Sequence, residues 1–277
     1  MTSTVRVEIL VVGNEVLAGN VLDSNSHWMC QQLAARGAQV RRITVLPDDP
    51  HEIADGLHGS LGRASDLIIT CGGLGPTQDD LTVAAVAHAL GRTMQESPVA
   101  FAMIRDFYAM LFDRGDVSFA EMTPARAKMA QFPEGADPLV NRCGAAPGVL
   151  MHQGATTIVC LPGVPAEMKD IFTNSLAPRL DALFGQQAYE ERVILTAVWD
   201  ESVLAPVVDA VAARHPLVYV KSRAQVYGDD KADFVTLAAR GRDAAEVAGL
   251  LDATEGDLRA ELQVLGITVI EDPPRRP

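Results

Sequence analysis

The apolar positions of the first third of the chain fall in short runs separated by longer, mixed stretches. Val5 to Val12 is a nearly continuous β-branched and aliphatic run that stops at Gly13, the pattern of a buried strand. Ser24-Asn25-Ser26 then offers capping side chains for a helix that carries Trp28, Met29 and Leu33 and ends at Gly37. Ala38 to Leu46 predicts a second strand, closed by Pro47, and Pro50 to Arg63 a second helix. Leu67 to Cys71 reads as a third strand, and Asp80 to Leu90 as a helix ended by Gly91. Strands alternating with helices of this length predict βαβ units, hence a parallel sheet in an α/β domain.

Further along, Ser97 to Asp113 predicts a longer helix, and Thr123-Pro124 opens another, because proline is tolerated at a first helical position. Residues 133–147 read as loop. Gly148–Met151 and Thr157–Leu161 predict a strand pair around Gln153-Gly154, followed by a helix over Ala166–Phe184. Near Gly185-Gln186-Gln187 the pattern resets. Strands at Arg192–Val198, Leu217–Lys221, Phe234–Ala239 and Ile267–Ile270 alternate with helices from Asp200 to Arg214 and Asp243 to Leu265. That β-α-β-β-α-β order is the ferredoxin-like split unit. The expected organisation is therefore a first domain over 1–185, a small α+β domain over 186–272 and a tail over 273–277.

Composition narrows the class. In 277 residues, a hydrophobic fraction of 48% and a charged fraction of 21% supply a sizeable core. The formal net charge of -13 argues against a nucleic-acid partner bound by phosphate neutralisation. Cys30, Cys71, Cys143 and Cys160 form no C-x-x-C pair, and the six histidines show no metal-ligand spacing. Trp28 and Met29 read as core. No apolar run approaches a membrane span, and Met1–Arg6 does not read as a secretion signal, so a cytoplasmic protein without a membrane partner is expected.

The candidate chemistry sits at one edge of the expected sheet. Gly72-Gly73-Leu74-Gly75-Pro76-Thr77-Gln78-Asp79-Asp80 follows a strand and opens a helix. Glycines there let backbone approach a ligand and aim N–H groups at it, and a helix N-terminus suits an anion. The competing reading is a tight turn in which Asp79 and Asp80 cap the helix. Gly13-Asn14-Glu15 ends the first strand, with Asn25 soon after, and Pro47-Asp48-Asp49 ends the second. In a parallel sheet these sets converge on the glycine loop, since ligands sit beyond the carboxyl ends of the strands. Several carboxylates around a phosphate cradle repel the ligand unless a cation lies between them, and Mg²⁺ commonly bridges carboxylates and phosphates. Glu15 and Asp80 are the candidate metal ligands, Asp48 the candidate general base, and Lys169 and Arg126 candidate phosphate cations.

Three motifs together resemble a known family. Gly13-Asn14-Glu15-Val16-Leu17-Ala18-Gly19 with Asp23-Ser24-Asn25-Ser26 is similar to the opening of molybdopterin-binding domains of the MoaB/MogA/MoeA type, and Gly72 to Thr82 to their central loop. Leu161-Pro162-Gly163-Val164-Pro165-Ala166-Glu167-Met168-Lys169, Asn141 to Gly148 and Met122 to Arg126 resemble the CinA (competence/damage-inducible) branch. The resemblance covers about residues 5–180, and more weakly extends to the KH-type domain that follows in that branch. It implies a three-layer α/β/α MoaB/Mog-like domain that binds molybdopterin or an adenine nucleotide, with functional aspartates at Asp48 and Asp80. Gly13, Asn14, Glu15, Asn25, Gly72, Gly73, Leu74, Gly75, Pro162, Gly163 and Lys169 are the implied ligand-binding positions.

The resemblance further implies metal-dependent hydrolysis (Mg, Mn or Co) of an ADP-ribose-type pyrophosphate, and a homodimer. Two alternatives stand beside it: molybdopterin binding or adenylyl transfer, and a non-catalytic nucleotide-binding module. Leu74 departs from the threonine usual in cofactor-synthesis members, which favours the CinA branch. The second domain lacks the G-x-x-G run that clamps nucleic acid. A C-terminal deamidase domain has no counterpart within these residues, so that activity is not implied.

Overall fold

The computed structural model describes residues 4–184, 188–198, 200–227 and 230–270. Two compact units emerge, one over 1–34 and 38–185, the other over 35–37 and 186–277. In the first, the chain runs β1 (Arg6–Val12), α1 (Asn14–Leu17), α2 (Ser24–Ala34), β2 (Gln39–Leu46), α3 (Pro50–Gly62), β3 (Leu67–Cys71) and α4 (Thr82–Ala89). It continues through β4 (Met94–Glu96), α5 (Pro98–Asp113), α6 (Pro124–Lys128), β5 (Gln131–Pro133), β6 (Asp137–Leu139), β7 (Gly148–Gln153) and β8 (Thr156–Leu161). Last come α7 (Pro165–Ile171), a π-type segment (Phe172–Leu176) and α8 (Ala177–Phe184), in one continuous helical run.

The main sheet has the order β2-β1-β3-β8-β7-β6. Strands β2, β1, β3 and β8 are parallel, whereas β7 and β6 pair antiparallel. The sheet is thus mixed rather than wholly parallel. The reason is local: β7 and β8 are joined by a tight turn with Gly154 at φ +58, and so short a connection reverses the chain.

Alternation along β1 assigns the two layers. Val7, Ile9 and Val11 face Met29 and Leu33 of α2 and Met168, Ile171 and Phe172 of the C-terminal helical run. Leu10 and Val12 face Ile53 and Leu57 of α3 and Val86 of α4. Both faces of the sheet are covered at its centre, which is why β3 and β8 are buried throughout and read as apolar runs. Trp28 meets Phe172 edge-on at 5.3 Å, and Met29 is fully buried, as expected of core residues.

Two helix starts differ from expectation. Helix α2 is capped by Asp23, which accepts the Ser26 N–H at 2.9 Å, rather than by the Ser24–Ser26 side chains. Helix α4 begins at Thr82, and its start has no side-chain cap.

The second unit follows β9 (Ala188–Thr196), α9 (Glu201–Arg214), β10 (Val218–Tyr227), β11 (Asp230–Gly241), α10 (Ala244–Val264) and β12 (Val269–Ile270). Its sheet order is β10-β11-β9-β12 with antiparallel pairs. Leu204 and Val211 of α9 and Leu251, Leu258 and Leu262 of α10 bury against Ile194, Val235 and Leu237. Asp200 and Asp243 cap the two helices. Among the described residues no helix is long and apolar enough to cross a membrane.

Candidate functional site

In the parallel part of the sheet, β2 and β3 flank β1 on opposite sides. The chain therefore leaves β1 toward one side and later returns on the other, a switch in strand order. Loops diverge at such a point and leave a crevice at the carboxyl ends of the strands. Gly13 ends β1 and donates its N–H to Leu46 O at 3.1 Å, while Gly72 ends β3 and donates to Leu161 O at 2.9 Å. These two bonds fix the four strand ends side by side.

The glycines here are sterically required. Gly72 has φ +115, and a β-carbon there would lie 2.0 Å from Val12 O. Gly73 has φ +69, and its β-carbon would lie 2.2 Å from Thr82 Oγ1. The loop thus packs on the Val12 backbone at Gly72 and on the Thr82 side chain at Gly73, and only glycine fits at either position.

The resulting cleft measures about 770 Å³, within the range of small-molecule sites. Gly13, Glu15, Asp48, Asp80, Pro162 and Gly163 line it together with all of Gly72–Gly75. Asp48 accepts the Asn14 N–H at 2.8 Å, so Asn14 contributes its backbone to the site's support. Asp80 turns back onto its own loop, accepting the Thr77 N–H at 2.8 Å. The Thr77 hydroxyl lies between Asp80 (2.7 Å) and Asp79, and its single proton serves one carboxylate at a time. Hydrogen bonding from Thr77 holds Asp79 below the usual carboxylate range. Lys128 donates to Thr77 O and braces the loop from outside. Neither Asp79 nor Asp80 caps α4, so the turn-and-cap reading of these acids is not what the structure holds.

Three candidates lie elsewhere. Asn25 lines a smaller hollow beside the cleft, where its Nδ2 donates to Gly163 O at 2.7 Å and tethers the Pro162-Gly163 turn. Lys169 sits 5.8 Å from the Trp28 ring and does not line the cleft. Arg126 is buried: it donates to Phe119 O (3.1 Å) and Glu121 O (2.8 Å) and stacks 3.6 Å over Tyr108. It is a structural tie of the 119–126 segment, not a free phosphate cation.

The sequence motifs include Glu167 and the 143–146 stretch but assign them no role, and nothing in the sequence singles out Phe107 or Tyr108; all of these line the cleft. Glu167 accepts a 2.6 Å hydrogen bond from Asn141 Nδ2. Burial pushes its carboxyl above the ordinary value, against the opposing effect of Asn141. The wall behind it is Gly144, where a β-carbon would come within 2.1 Å of the Glu167 carboxyl. Behind the glycine loop, burial also pushes the Cys71 thiol up to about 12.

Five carboxylates (Glu15, Asp48, Asp79, Asp80 and Glu167) and no lysine or arginine stand among the described residues lining the cleft. This donor set suits a hard cation. Among the described residues no three His, Cys, Asp or Glu side chains form a ready metal cage. A cation here would therefore be held by one or two carboxylates with ligand phosphates and water completing its shell, the common arrangement for Mg²⁺.

The model of the family described as "Probable molybdopterin binding domain" matches residues 8–182, and the chain belongs to that family. A protein of Pyrococcus horikoshii is 39% identical over 210 residues, 76% of this chain and 81% of its own length. One from Pyrococcus abyssi is 41% identical over 202 residues, 73% of this chain and 79% of its own. Among solved structures, the protein CinA of unknown function from Thermoplasma acidophilum superposes with a TM-score of 0.57 at 34% identity, covering 65% of this chain and 97% of that one. The MoaB/Mog-like α/β fold of the first unit is thus shown.

Proposed function

We propose that the cleft binds a phosphate-bearing nucleotide through a divalent cation (Mg, Mn or Co) and hydrolyses an ADP-ribose-type pyrophosphate to AMP. The observation that carries this reading is the pairing of a glycine-rich loop with five acids and, among the described residues, no lining lysine or arginine. Such a site attracts a diphosphate only with a cation between. Glu15 and Asp80 would hold the cation, with Asp48 beside them. When bound, the cation neutralises phosphate charge and polarises the phosphorus under attack. The Gly72–Gly75 backbone positions the diphosphate, and the Asn14 N–H keeps Asp48 turned to the cleft.

The test is incubation of the purified protein with ADP-ribose, with and without each metal, following AMP release, with Asp80→Ala beside it. Metal-dependent release that the variant loses is expected. Binding of ADP-ribose without release under any metal overturns the hydrolytic reading.

Molybdopterin binding is the second reading, favoured by the family's description. It uses the same cleft, and tighter binding of the pterin than of ADP-ribose selects it. We further take the protein to be a cytoplasmic homodimer. Its four cysteines are free, and Val99, Met110 and Phe112 of α5 expose apolar surface. A sedimentation experiment that returns the monomer mass of 29.6 kDa overturns the dimer.

A further inference from the structure

We propose that Glu167, set in place by Asn141, is the group that takes the proton from the attacking water in this cleft; the inference rests on the hydrolytic reading. Glu167 leaves from the first turn of α7, just after the Pro162-Gly163 turn. Asn141 engages only its Oε2, at 2.6 Å. Among the described residues no donor lies on Oε1. The same Asn141 amide donates to Ala146 O at 2.9 Å and accepts the Cys143 N–H at 3.0 Å. One side chain thereby ties the 141–146 wall to the carboxylate, and Gly144 leaves the room that the carboxylate occupies. Asp48, by contrast, is turned to the Asn14 N–H at the end of β1, and Asp80 to the Thr77 N–H of its own loop.

Charges around Glu167 are mostly spoken for. On its own helix and the facing loop, Asp170 and Arg142 pair at 2.7 Å. Lys169 lies toward the Trp28 ring on α2, which also carries His27 and follows Asp23. Cys143 and, from α5, Tyr108 line the same cleft, and Glu15, Asp48, Asp79 and Asp80 complete its acids. Burial raises the Glu167 carboxyl, and the Asn141 hydrogen bond moderates the rise. A carboxylate in that state is a stronger proton acceptor than an exposed one.

In the step, a water O–H bond breaks and its proton passes to Glu167 as the water oxygen bonds to phosphorus. The bond from phosphorus to the bridging oxygen breaks, and that oxygen departs with the electron pair on the leaving phosphate. Glu167 then returns the proton to solvent.

The pH dependence of kcat for metal-loaded protein on ADP-ribose tests this in wild type, Glu167→Gln and Asn141→Ala. Wild type should rise through an acid limb to a plateau. Glu167→Gln should lower kcat by about 10²–10⁴-fold and lose the limb. Asn141→Ala should move the limb to higher pH, because the bond it deletes opposes the rise; this variant carries the test if Glu167→Gln fails to fold. Carbon-13 NMR of the metal-free protein reads the same carboxyl directly, with the same upward displacement expected in Asn141→Ala. A Glu167→Gln enzyme within threefold of wild type, or an unmoved limb and titration in Asn141→Ala, overturns the Glu167 assignment and leaves the hydrolytic reading standing. A wild type that releases no AMP at any pH overturns both.

Discussion

Glu8 lies in β1 with 2% exposure, a carboxylate in a strand whose other buried residues are all aliphatic. It faces α3, and Arg63 grips it with two bonds, Nε to Oε1 at 2.8 Å and Nη2 to Oε2 at 2.6 Å. The Ser60 and Ser65 hydroxyls add contacts of 2.9 and 3.0 Å. Arg63 is the largest cause that holds this carboxyl down from 4.5 to about 2, with the two serines helping and burial opposing. A depression of that size corresponds to about 3 kcal/mol of folding stability. Because the folded value lies below the unfolded one, the contribution is complete above the unfolded value and is lost as pH falls toward the folded value. Roughly 2 of those ~3 kcal/mol are gone by pH 3.

Glu8→Gln keeps the shape and removes the charge. Arg63 is 39% exposed, so its guanidinium is not stranded in the core. The cost at pH 7 should then be about 2–4 kcal/mol, not the upper end for a broken buried pair. Urea unfolding of both proteins at pH 7, 5 and 3 measures it. The gap between them should shrink by about 2 kcal/mol from pH 7 to pH 3. A gap that stays constant across that range refutes the reasoning, since it would mean that Glu8 is not the ionised partner of Arg63 in the folded protein.

Gly73→Ala should cost about 2–4 kcal/mol, combining left-handed backbone with a β-carbon driven into Thr82, and lower the melting temperature by roughly 4–12 °C. Adding Thr82→Ala should recover part of that cost, and a melt of the double variant no higher than the single one counts against the contact. Arg126→Met removes two hydrogen bonds and a stack on Tyr108, so stability should fall by about 2–4 kcal/mol in urea; unchanged stability with weakened ADP-ribose binding would restore it as a ligand. At pH 8 a disulfide reagent should react first with exposed Cys143 and be slowed there by a cleft ligand. Buried Cys71 and Cys160, pushed up to about 12 and 11, should react only on unfolding.

The parts of the fold legible in the sequence are those whose neighbours are close along the chain or whose pattern is strong. Strands β1, β3 and β8 are buried on both faces and stand out as apolar runs. Helices α3, α5, α9 and α10 carry their own N-terminal caps at Asp49, Ser97, Asp200 and Asp243. Strands β4, β5 and β6 are three residues each, too short to show a period, and the sequence pattern predicts no strand over any of them. Glu167 was missed for a related reason. An acid two residues before a lysine on a helix looks like a solvated face, and its partner Asn141 is 26 residues away. Gly144, three residues after that asparagine, was the available signal, because a glycine there leaves the room that the carboxyl fills. Arg126 misled in the opposite sense: its motif suggested a ligand contact, whereas its guanidinium is consumed by two carbonyls and an aromatic ring.

Consecutive acids show how finely position separates a cap from a site. Asp49 precedes Pro50, the first residue of α3, and its carboxylate accepts the His51 and Glu52 N–H groups at 2.8 and 3.1 Å. Asp48, one residue nearer the end of β2, turns instead to the Asn14 N–H at the end of β1. The difference is register: the residue adjacent to the helix serves the helix, and the residue adjacent to the strand serves the crevice. The same rule explains the glycine loop. Thr82 opens α4, and Asp79 and Asp80 fall too early to cap it, so they fold onto Thr77 at the cleft instead. Since the loops after β1 and β3 diverge once β2 lies on the other side of β1, the acids on the connections that leave these strands, Glu15, Asp48, Asp79 and Asp80, are delivered to one crevice. The charge of the site is therefore set by the lengths of the strand-to-helix connections as much as by which residues they contain. Lengthening the β2–α3 connection by one residue between Asp48 and Asp49 should leave the Asp49 cap intact and shift Asp48 from the Asn14 N–H. Stability near wild type with weakened metal-dependent ADP-ribose binding is the expected result, and unchanged binding would show that Asp48 takes no part in it.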